Sequence, residues 1–206
     1  MKPSSKLSGV LAATLMTMIV PPVTADPPNT TSQPTVTTEL TGYQETPLTI
    51  NSPGSGEFTA TIQGNGTAIA YTLTYRDLSS PVTQAHIHFG RPAISGMIVL
   101  FLCANTPPIT PPVGVPTPPP CPAAPATVTG TLTAADVIAR PAQGIDPGAA
   151  GLAEMLKAIR AGAAYANVHT IVYPSGEIRG RLQTHEPDGD NNNDNNDNSD
   201  NNDNDN

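Results

Sequence analysis

Hydrophobic positions recur with a period of mostly two between residues 36 and 185. This is the period of a β-strand, whose successive side chains point to opposite faces of a sheet. The segments predicted as strands are 57–62, 68–75, 83–89, 97–102, 126–132, 165–173 and 177–182. The segment 97–102 (MIVLFL) is apolar throughout, as expected of a strand buried on both faces. Gly64-Asn65-Gly66 predicts a hairpin turn between the first two segments.

One segment has the period of a helix instead. Its apolar residues stand at positions i, i+3, i+4 and i+7, namely Leu152, Met155, Leu156 and Ile159. Pro147 before them and Gly162 after them are typical start and stop signals. Many short antiparallel strands joined by Gly/Pro turns, with one inserted α-helix, predict an all-β fold: a Greek-key antiparallel β-sandwich or barrel.

The first 25 residues have the pattern of a signal peptide. Lys2 and Lys6 precede an uncharged apolar stretch at 10–20, and the small residues at 23–25 offer a cleavage point. The apolar stretch is shorter than the ~20 residues that a membrane span needs. An uncleaved membrane anchor is the alternative for this segment. The pattern favours an exported protein, periplasmic or secreted, that is not integral to the membrane after cleavage.

Both ends of the exported chain lack the residues of a folded core. Residues 26–35 are rich in Pro and Thr and are predicted to form a disordered linker. Residues 186–206 contain no apolar side chain, which predicts a disordered Asp/Asn-rich tail. The folded domain is therefore expected at 36–185, with a Pro-rich loop at 104–125.

Charge narrows the range of functions. Nine Lys and Arg residues against seventeen Asp and Glu residues give a formal net charge of -8, which argues against nucleic-acid binding. Seven of the acidic residues are Asp residues between Asp188 and Asp205. The acidic excess therefore belongs to the tail more than to the folded domain.

The two cysteines, Cys103 and Cys121, bracket the Pro-rich loop. In an oxidising compartment such a pair is a disulfide candidate that would close the base of the loop. A catalytic or redox pair is the alternative, but the C-x-x-C spacing typical of redox pairs is absent. The sequence therefore favours a structural disulfide.

The strand 83–89 carries two of the four histidines. His86 and His88 share one face of it, because residues i and i+2 of a strand point the same way. Ala85, Ile87 and Phe89 occupy the other face, which is apolar and is expected to face the core. The same alternation in 165–173 puts Val168 and Val172 in the core and His169 on the outer face. Three imidazoles are thus predicted on the outside of the sheet.

The last predicted hairpin adds charged residues to this face. A three-residue loop, Pro174-Ser175-Gly176, would pair Tyr173 with Glu177, Ile171 with Arg179 and His169 with Arg181. Glu177, Arg179 and Arg181 would then lie beside His169. We expect these three residues to support a histidine site or to guide a small anion towards it, since an arginine disfavours the protonated imidazole.

An H-x-H strand with a third histidine from a distant strand suits a metal that imidazole binds well, meaning Cu, Zn, Ni or Fe. His86, His88 and His169 are the candidate ligands. Alternating histidines on a solvated strand are also common without any metal. The pattern by itself leaves both interpretations open.

Several of these segments resemble the CHRD domain, the repeat unit first described in chordin. They are residues 79–96 with Ala85-His86-Ile87-His88 and Gly90, then 167–170 (NVHT), 176–180 (GEIRG), Gly42 with Pro47, 55–56 (SG) and 131–136 (TLTAAD). The resemblance covers roughly residues 36–184. The chain departs from the family between Cys103 and Cys121, where the family has a shorter connection.

This resemblance implies an extracellular protein, because bacterial CHRD proteins are exported single domains and chordin binds growth-factor ligands outside cells. The layout is also similar in outline to copper/zinc superoxide dismutase, which carries an H-x-H on a barrel strand and a later His ligand. That similarity concerns only the pattern of His86, His88 and His169.

Two functions follow as hypotheses. In the first, the exported domain binds a transition metal, with copper favoured, through the outer-face three-histidine site, and reacts with a small anion as superoxide dismutases do. In the second, it is a non-catalytic extracellular module that binds a protein or another ligand, and the histidines hold loops by hydrogen bonds. The sequence alone does not decide whether the protein is an enzyme.

Overall fold

The computed structural model of the chain describes residues 33–105 and 111–185. The expected signal peptide at 1–25, most of the expected linker at 26–35 and the expected tail at 186–206 lie outside the described residues, as does part of the Pro-rich loop. No helix within the described residues is long and apolar enough to cross a membrane.

The described chain forms nine strands and one α-helix. The strands are β1 (Thr35–Thr41), β2 (Ser55–Gln63), β3 (Ala68–Arg76), β4 (Val82–Phe89), β5 (Met97–Ala104), β6 (Ala126–Thr133), β7 (Ala164–Thr170), β8 (Ile178–Leu182) and β9 (Thr184–His185). The helix α1 spans Gly148–Arg160. Short 3-10 turns lie at Gly42–Gln44, Ala134–Asp136 and Pro141–Gln143.

All strand pairs are antiparallel and belong to one sheet in the order β5-β4-β7-β8-β1-β2-β3-β6, with β9 paired to β1. The sheet curls into a nearly closed barrel, in which the edge strands β5 and β6 approach each other. Tyr71 on β3 donates a hydrogen bond of 2.7 Å to the carbonyl of Leu102 on β5, which ties the two ends of the sheet together. The predicted all-β barrel with one helix is confirmed.

Alternate side chains of the strands fill the interior of the barrel. Phe58, Leu73, Ile87 and Val168 are at most 1% exposed and come from four different strands. Their neighbours on each strand point outward, as the period of two predicts. The face of the sheet turned away from this core is called the outer face below.

The helix covers part of the core with the residues that its period indicated. Leu152, Met155, Leu156 and Ile159 are all buried. Pro147 is the residue before the helix and Gly162 follows it with φ of 62°. Such a left-handed residue ends a helix at little cost when it is glycine.

The strand β1 is absent from the sequence prediction, although it lies between β8 and β2 in the sheet. Its alternation was weak because Thr supplies most of its residues. Only Val36 and Leu40 are fully buried core side chains. Without this strand the final hairpin and the first hairpin would not join into one sheet.

The expected register of the last hairpin is wrong by four residues. Asn167 pairs with Arg179 and Tyr165 pairs with Arg181, because β7 ends at Thr170 instead of continuing to Tyr173. The expected turn does form, with the amide of Gly176 donating to the carbonyl of Tyr173 at 3.1 Å. It lies within a longer loop.

Two loop hydrogen bonds end β7 early. The amide of Ile171 donates to the carbonyl of Pro81, and that of Val172 to the hydroxyl of Ser80. Val172, expected in the core, is therefore 57% exposed. Because four is an even shift, the residues that remain paired in β7 and β8 still lie on the expected faces of the sheet.

The disulfide between Cys103 and Cys121 is present and closes the Pro-rich loop. Asn105 reinforces the closure beside it. Its side-chain amide donates to the carbonyls of Val82 and Cys121 and accepts from the amide of Cys121. The loop is therefore attached to the end of β5 by one covalent bond and a small hydrogen-bond network.

We expect reduction of this disulfide to lower the free energy of unfolding by about 3 kcal/mol, because an open loop of this length regains conformational entropy in the unfolded state. Urea unfolding with and without a reductant measures the effect. The double variant Cys103→Ser/Cys121→Ser is the control and should be insensitive to the reductant. A fully reduced wild type that is as stable as the oxidised protein would contradict this prediction.

Candidate metal centre

Strands β4 and β7 bring the three histidines together. The antiparallel register places Gln84 opposite His169, His86 opposite Asn167 and His88 opposite Tyr165. All six residues alternate with the core residues of their strands and therefore lie on the outer face. The sequence prediction that His86, His88 and His169 share this face is correct.

One nitrogen of each of the three imidazoles lies within 4.8 Å of the corresponding nitrogens of the other two. The ring centroids are 5.4 Å apart for His86 and His88, 5.0 Å for His86 and His169, and 5.9 Å for His88 and His169. The three rings form a compact cluster of nitrogen donors.

The cluster is buried, whereas the sequence suggested imidazoles on the outside of the sandwich. His86, His88 and His169 are only 0%, 6% and 5% exposed. The ring of Phe101 on β5 covers His86 edge-on at 4.6 Å, and the ring of Tyr165 stacks on His88 at the same distance. Loops and aromatic rings thus form a second layer over this part of the outer face.

Hydrogen bonds fix two of the three imidazoles. Nδ1 of His88 lies 3.1 Å from the carbonyl of Gly96, and Nδ1 of His169 lies 3.0 Å from the carbonyl of Pro174. A carbonyl only accepts, so each Nδ1 must carry the proton. The Nε2 atoms are left with free lone pairs, and neither has a hydrogen-bond partner within the described residues. Both nitrogens of His86 also lack a partner there.

Burial keeps all three imidazoles neutral. Loss of hydration lowers the pKa of His86 well below its usual value, with smaller effects from His169 and His88. Burial also lowers the pKa of His88 to about 3 and that of His169 to about 4. Neutral imidazoles are the form that binds metal ions, because the lone pair of a nitrogen must be free.

Gln84 is a neighbour of this cluster on the outer face that the sequence reasoning missed. It precedes His86 by two residues on β4, pairs with His169 across the sheet, and is 9% exposed. Its Oε1 is buried and has no hydrogen-bond partner in the part of the chain that is described. The alternation that revealed His86 also reaches Gln84, but only the structure reveals an unpaired oxygen.

Glu177 does not point to the histidines. Its carboxylate accepts hydrogen bonds from the hydroxyl of Ser52, from the amide and hydroxyl of Ser79 at 2.8 and 2.9 Å, and from the hydroxyl of Thr170 at 2.7 Å. Burial raises the pKa of Glu177, but these hydrogen bonds outweigh it and hold the pKa below its usual value. Glu177 is an ionised anchor for two loop segments and the end of β7.

Arg179 reaches the cluster indirectly. Its guanidinium carbon lies 3.4 Å from the centroid of the Tyr165 ring, and that ring also stacks in parallel on the ring of His88. Arg181 is exposed and donates a hydrogen bond of 3.0 Å to the carbonyl of Gly162. Of the three charged residues expected beside the histidines, only Arg179 approaches the cluster, and it does so through the ring of Tyr165. His185 is exposed on β9 and is not part of it.

Comparison with known protein families identifies the domain. The family model of the CHRD domain matches residues 36–182, which is most of the chain. No curated protein and no solved structure matches the chain significantly. The chain belongs to the CHRD family.

Proposed function

We propose that this CHRD-domain protein binds one transition-metal ion through His86, His88 and His169, and that the ion is copper. The observation that carries the proposal is the set of unpaired nitrogens. Three buried, neutral imidazoles each present a nitrogen without a hydrogen-bond partner among the described residues. One nitrogen of each ring lies within 4.8 Å of one nitrogen of each of the other two.

The energetics support an ion at this place. A buried polar atom without a partner costs about 1–3 kcal/mol, and this cluster contains several. A metal ion would satisfy one nitrogen of each ring at once. Bond lengths near 2 Å would require the rings to rotate towards one another from their present separations.

The donor set favours copper among the available ions. Imidazole suits Cu, Zn, Ni and Fe, and nitrogen sites bind Cu²⁺ more tightly than the other divalent ions of the first transition row. The hydrogen bonds of His88 and His169 to backbone carbonyls support the proposal further. Such contacts orient metal-binding imidazoles and increase their basicity.

The burial of the site favours a metal ion that is retained over one that reacts with a substrate. Catalytic metal sites keep an open position, whereas structural sites are closed. All three histidines are at most 6% exposed, and Tyr165 and Phe101 cover the cluster. We therefore expect superoxide dismutation to be slow in the wild type and faster when the Tyr165 side chain is shortened.

Export to an oxidising compartment is part of the proposal. A disulfide between Cys103 and Cys121 persists in such compartments and is rare in the cytosol. Membership of the CHRD family also suggests an extracellular binding module. If no metal binds, the hydrogen bonds from His88 and His169 to loops support the alternative of a non-catalytic module with structural histidines.

Metal analysis and titration of the purified protein test the proposal. We expect each chain to bind one Cu²⁺ ion, and to bind it more tightly than Zn²⁺. At a free copper concentration a hundred times the Kd, the free energy of unfolding should rise by ~2.7 kcal/mol. His169→Ala should weaken binding more than about tenfold, since it removes one of three ligands. His185→Ala is the matched control, because His185 is exposed and outside the cluster. If copper stabilised both variants equally, the ion would have to bind at a site other than the three histidines. If copper did not stabilise the wild type, the proposal of a metal site would be refuted.

A further inference from the structure

A cleft separate from the histidine cluster lies on the side of Tyr165 that faces away from His88. It has a volume of ≈540 Å³ and is bounded by the loop 43–49, the turn at 90–93 and the strands β7 and β8. Its walls include the apolar side chains of Pro47, Pro92 and Ala164 together with the guanidinium of Arg179. A charged group thus stands in a cleft whose walls are partly apolar.

The charge of Arg179 is buried and unbalanced. The residue is 4% exposed, and it forms no ion pair within residues 33–105 and 111–185. Its guanidinium donates to the hydroxyl of Thr46 and, at 3.5 Å, to the carbonyl of Arg91. Arginine stays protonated in proteins, so this charge has to be balanced by other means. A buried charge without a counterion is costly.

The acid that lines the same cleft provides only part of that balance. Glu45 also lines the cleft and is 6% exposed. Burial raises its pKa to about 7, although Arg179 and a hydrogen bond from Asn167 act in the opposite direction. A carboxyl that is largely protonated below neutral pH supplies no full negative charge, and it can donate a hydrogen bond to an incoming oxygen.

We propose that this cleft binds a small monocarboxylate, whose carboxylate pairs with the guanidinium of Arg179 and whose apolar body lies against Pro47, Pro92 and Ala164. The planar guanidinium matches a carboxylate through two parallel hydrogen bonds. One buried positive charge balances one negative charge, which favours a monocarboxylate over a dianion such as phosphate. The cleft is separated from the histidine cluster by Tyr165 and requires no metal, so the proposal goes beyond the metal site.

Titration of the metal-free, full-length protein with benzoate tests this proposal. Benzamide is the neutral isostere, and chloride and inorganic phosphate are anion controls. We expect benzoate to bind with a Kd on the order of 1 mM or below and benzamide at least about tenfold more weakly. The methyl signals of Ala93 and Ala164, which line the cleft, should shift in NMR spectra, while that of Ala153 on the exposed face of α1 should not.

Variants of Arg179 test whether its charge is responsible for benzoate binding. Arg179→Gln should abolish benzoate binding, and Arg179→Lys should weaken it because the fork of donors is lost. Arg76→Gln is the matched control, since Arg76 is exposed and paired with Asp77 at 3.0 Å. If Arg179→Gln does not fold, the methyl shifts of the wild type still decide. The proposal would be overturned if benzamide or chloride bound as tightly as benzoate. It would also be overturned if benzoate left the methyl signals of Ala93 and Ala164 unshifted.

The tail of the chain is a second source of the same carboxylate chemistry, since it holds seven Asp residues between Asp188 and Asp205. A full-length variant with these Asp residues replaced by Asn distinguishes the sources. Unchanged benzoate affinity identifies a free carboxylate as the ligand. Affinity at least about tenfold higher in the variant identifies the tail as the occupant of the cleft in the wild type.

Discussion

Acidification of the metal-free protein from pH 6.5 to pH 4.5 is expected to destabilise it strongly. The folded-state pKa values of His88 and His169 are lowered to about 3 and about 4, and that of His86 is lowered as well. Below an unfolded value near 6.5, the unfolded chain binds protons that the folded protein excludes. The stability contributed by neutral imidazoles is therefore present above pH 6.5 and lost as the pH falls.

Glu45 acts in the opposite direction. Its folded-state pKa, raised to about 7, lies above the unfolded value, so its contribution is present below pH 4.5 and is lost as the pH rises through 7. Between pH 5 and 6, the unfolded chain binds about three more protons on the histidines than the folded protein does, and about one fewer on Glu45. The unfolded chain therefore binds about two protons more in total. The expected slope is thus about 2.7 kcal/mol per pH unit, with the protein more stable at the higher pH.

Urea unfolding at half-unit intervals from pH 4.5 to 7.5 measures this slope. Replacement of His88 by Asn should reduce the slope by about one proton, or ~1.4 kcal/mol per pH unit. Glu45→Gln should steepen it by a similar amount. His185→Asn is the control, because that histidine is exposed. A stability that is flat between pH 5 and 6.5 would show that the imidazoles are hydrated or protonated in the folded protein.

Removal of the Glu177 carboxylate is expected to lower the free energy of unfolding by about 3 kcal/mol, since ionic hydrogen bonds are strong and their donors would be left unsatisfied. The carboxylate is fully buried and accepts hydrogen bonds from Ser52, Ser79 and Thr170. Glu177→Ala therefore disconnects two loop segments and the end of β7 at once.

Chemical unfolding of three variants tests this role. Glu177→Gln should cost less than Glu177→Ala, because an amide oxygen can still accept some of the hydrogen bonds. Glu57→Ala on the exposed face of β2 is the matched control and should change stability by less than about 0.5 kcal/mol. If Glu177→Ala were as stable as this control, the hydrogen bonds would contribute little beyond those the same groups form with water.

Local patterns of residues were sufficient to predict the properties that depend on near neighbours in the chain. Alternation assigned His86 and His88 to one face, and this holds because a strand turns successive side chains to opposite sides. The helical period selected the buried side of α1 in the same way. The disulfide was predictable because two cysteines that bracket one loop, in a chain whose sequence predicts export, have each other as the available partners.

The tertiary structure decided everything that depends on what packs against a face. Periodicity distinguishes the two sides of a strand but does not show that Phe101 and Tyr165 cover the outer one, so the burial of the histidines was missed. The same applies to Glu177, whose partner Ser52 is 125 residues away in the chain. Contacts at such separations depend on how the loops pack against the sheet, and no local pattern of residues records them.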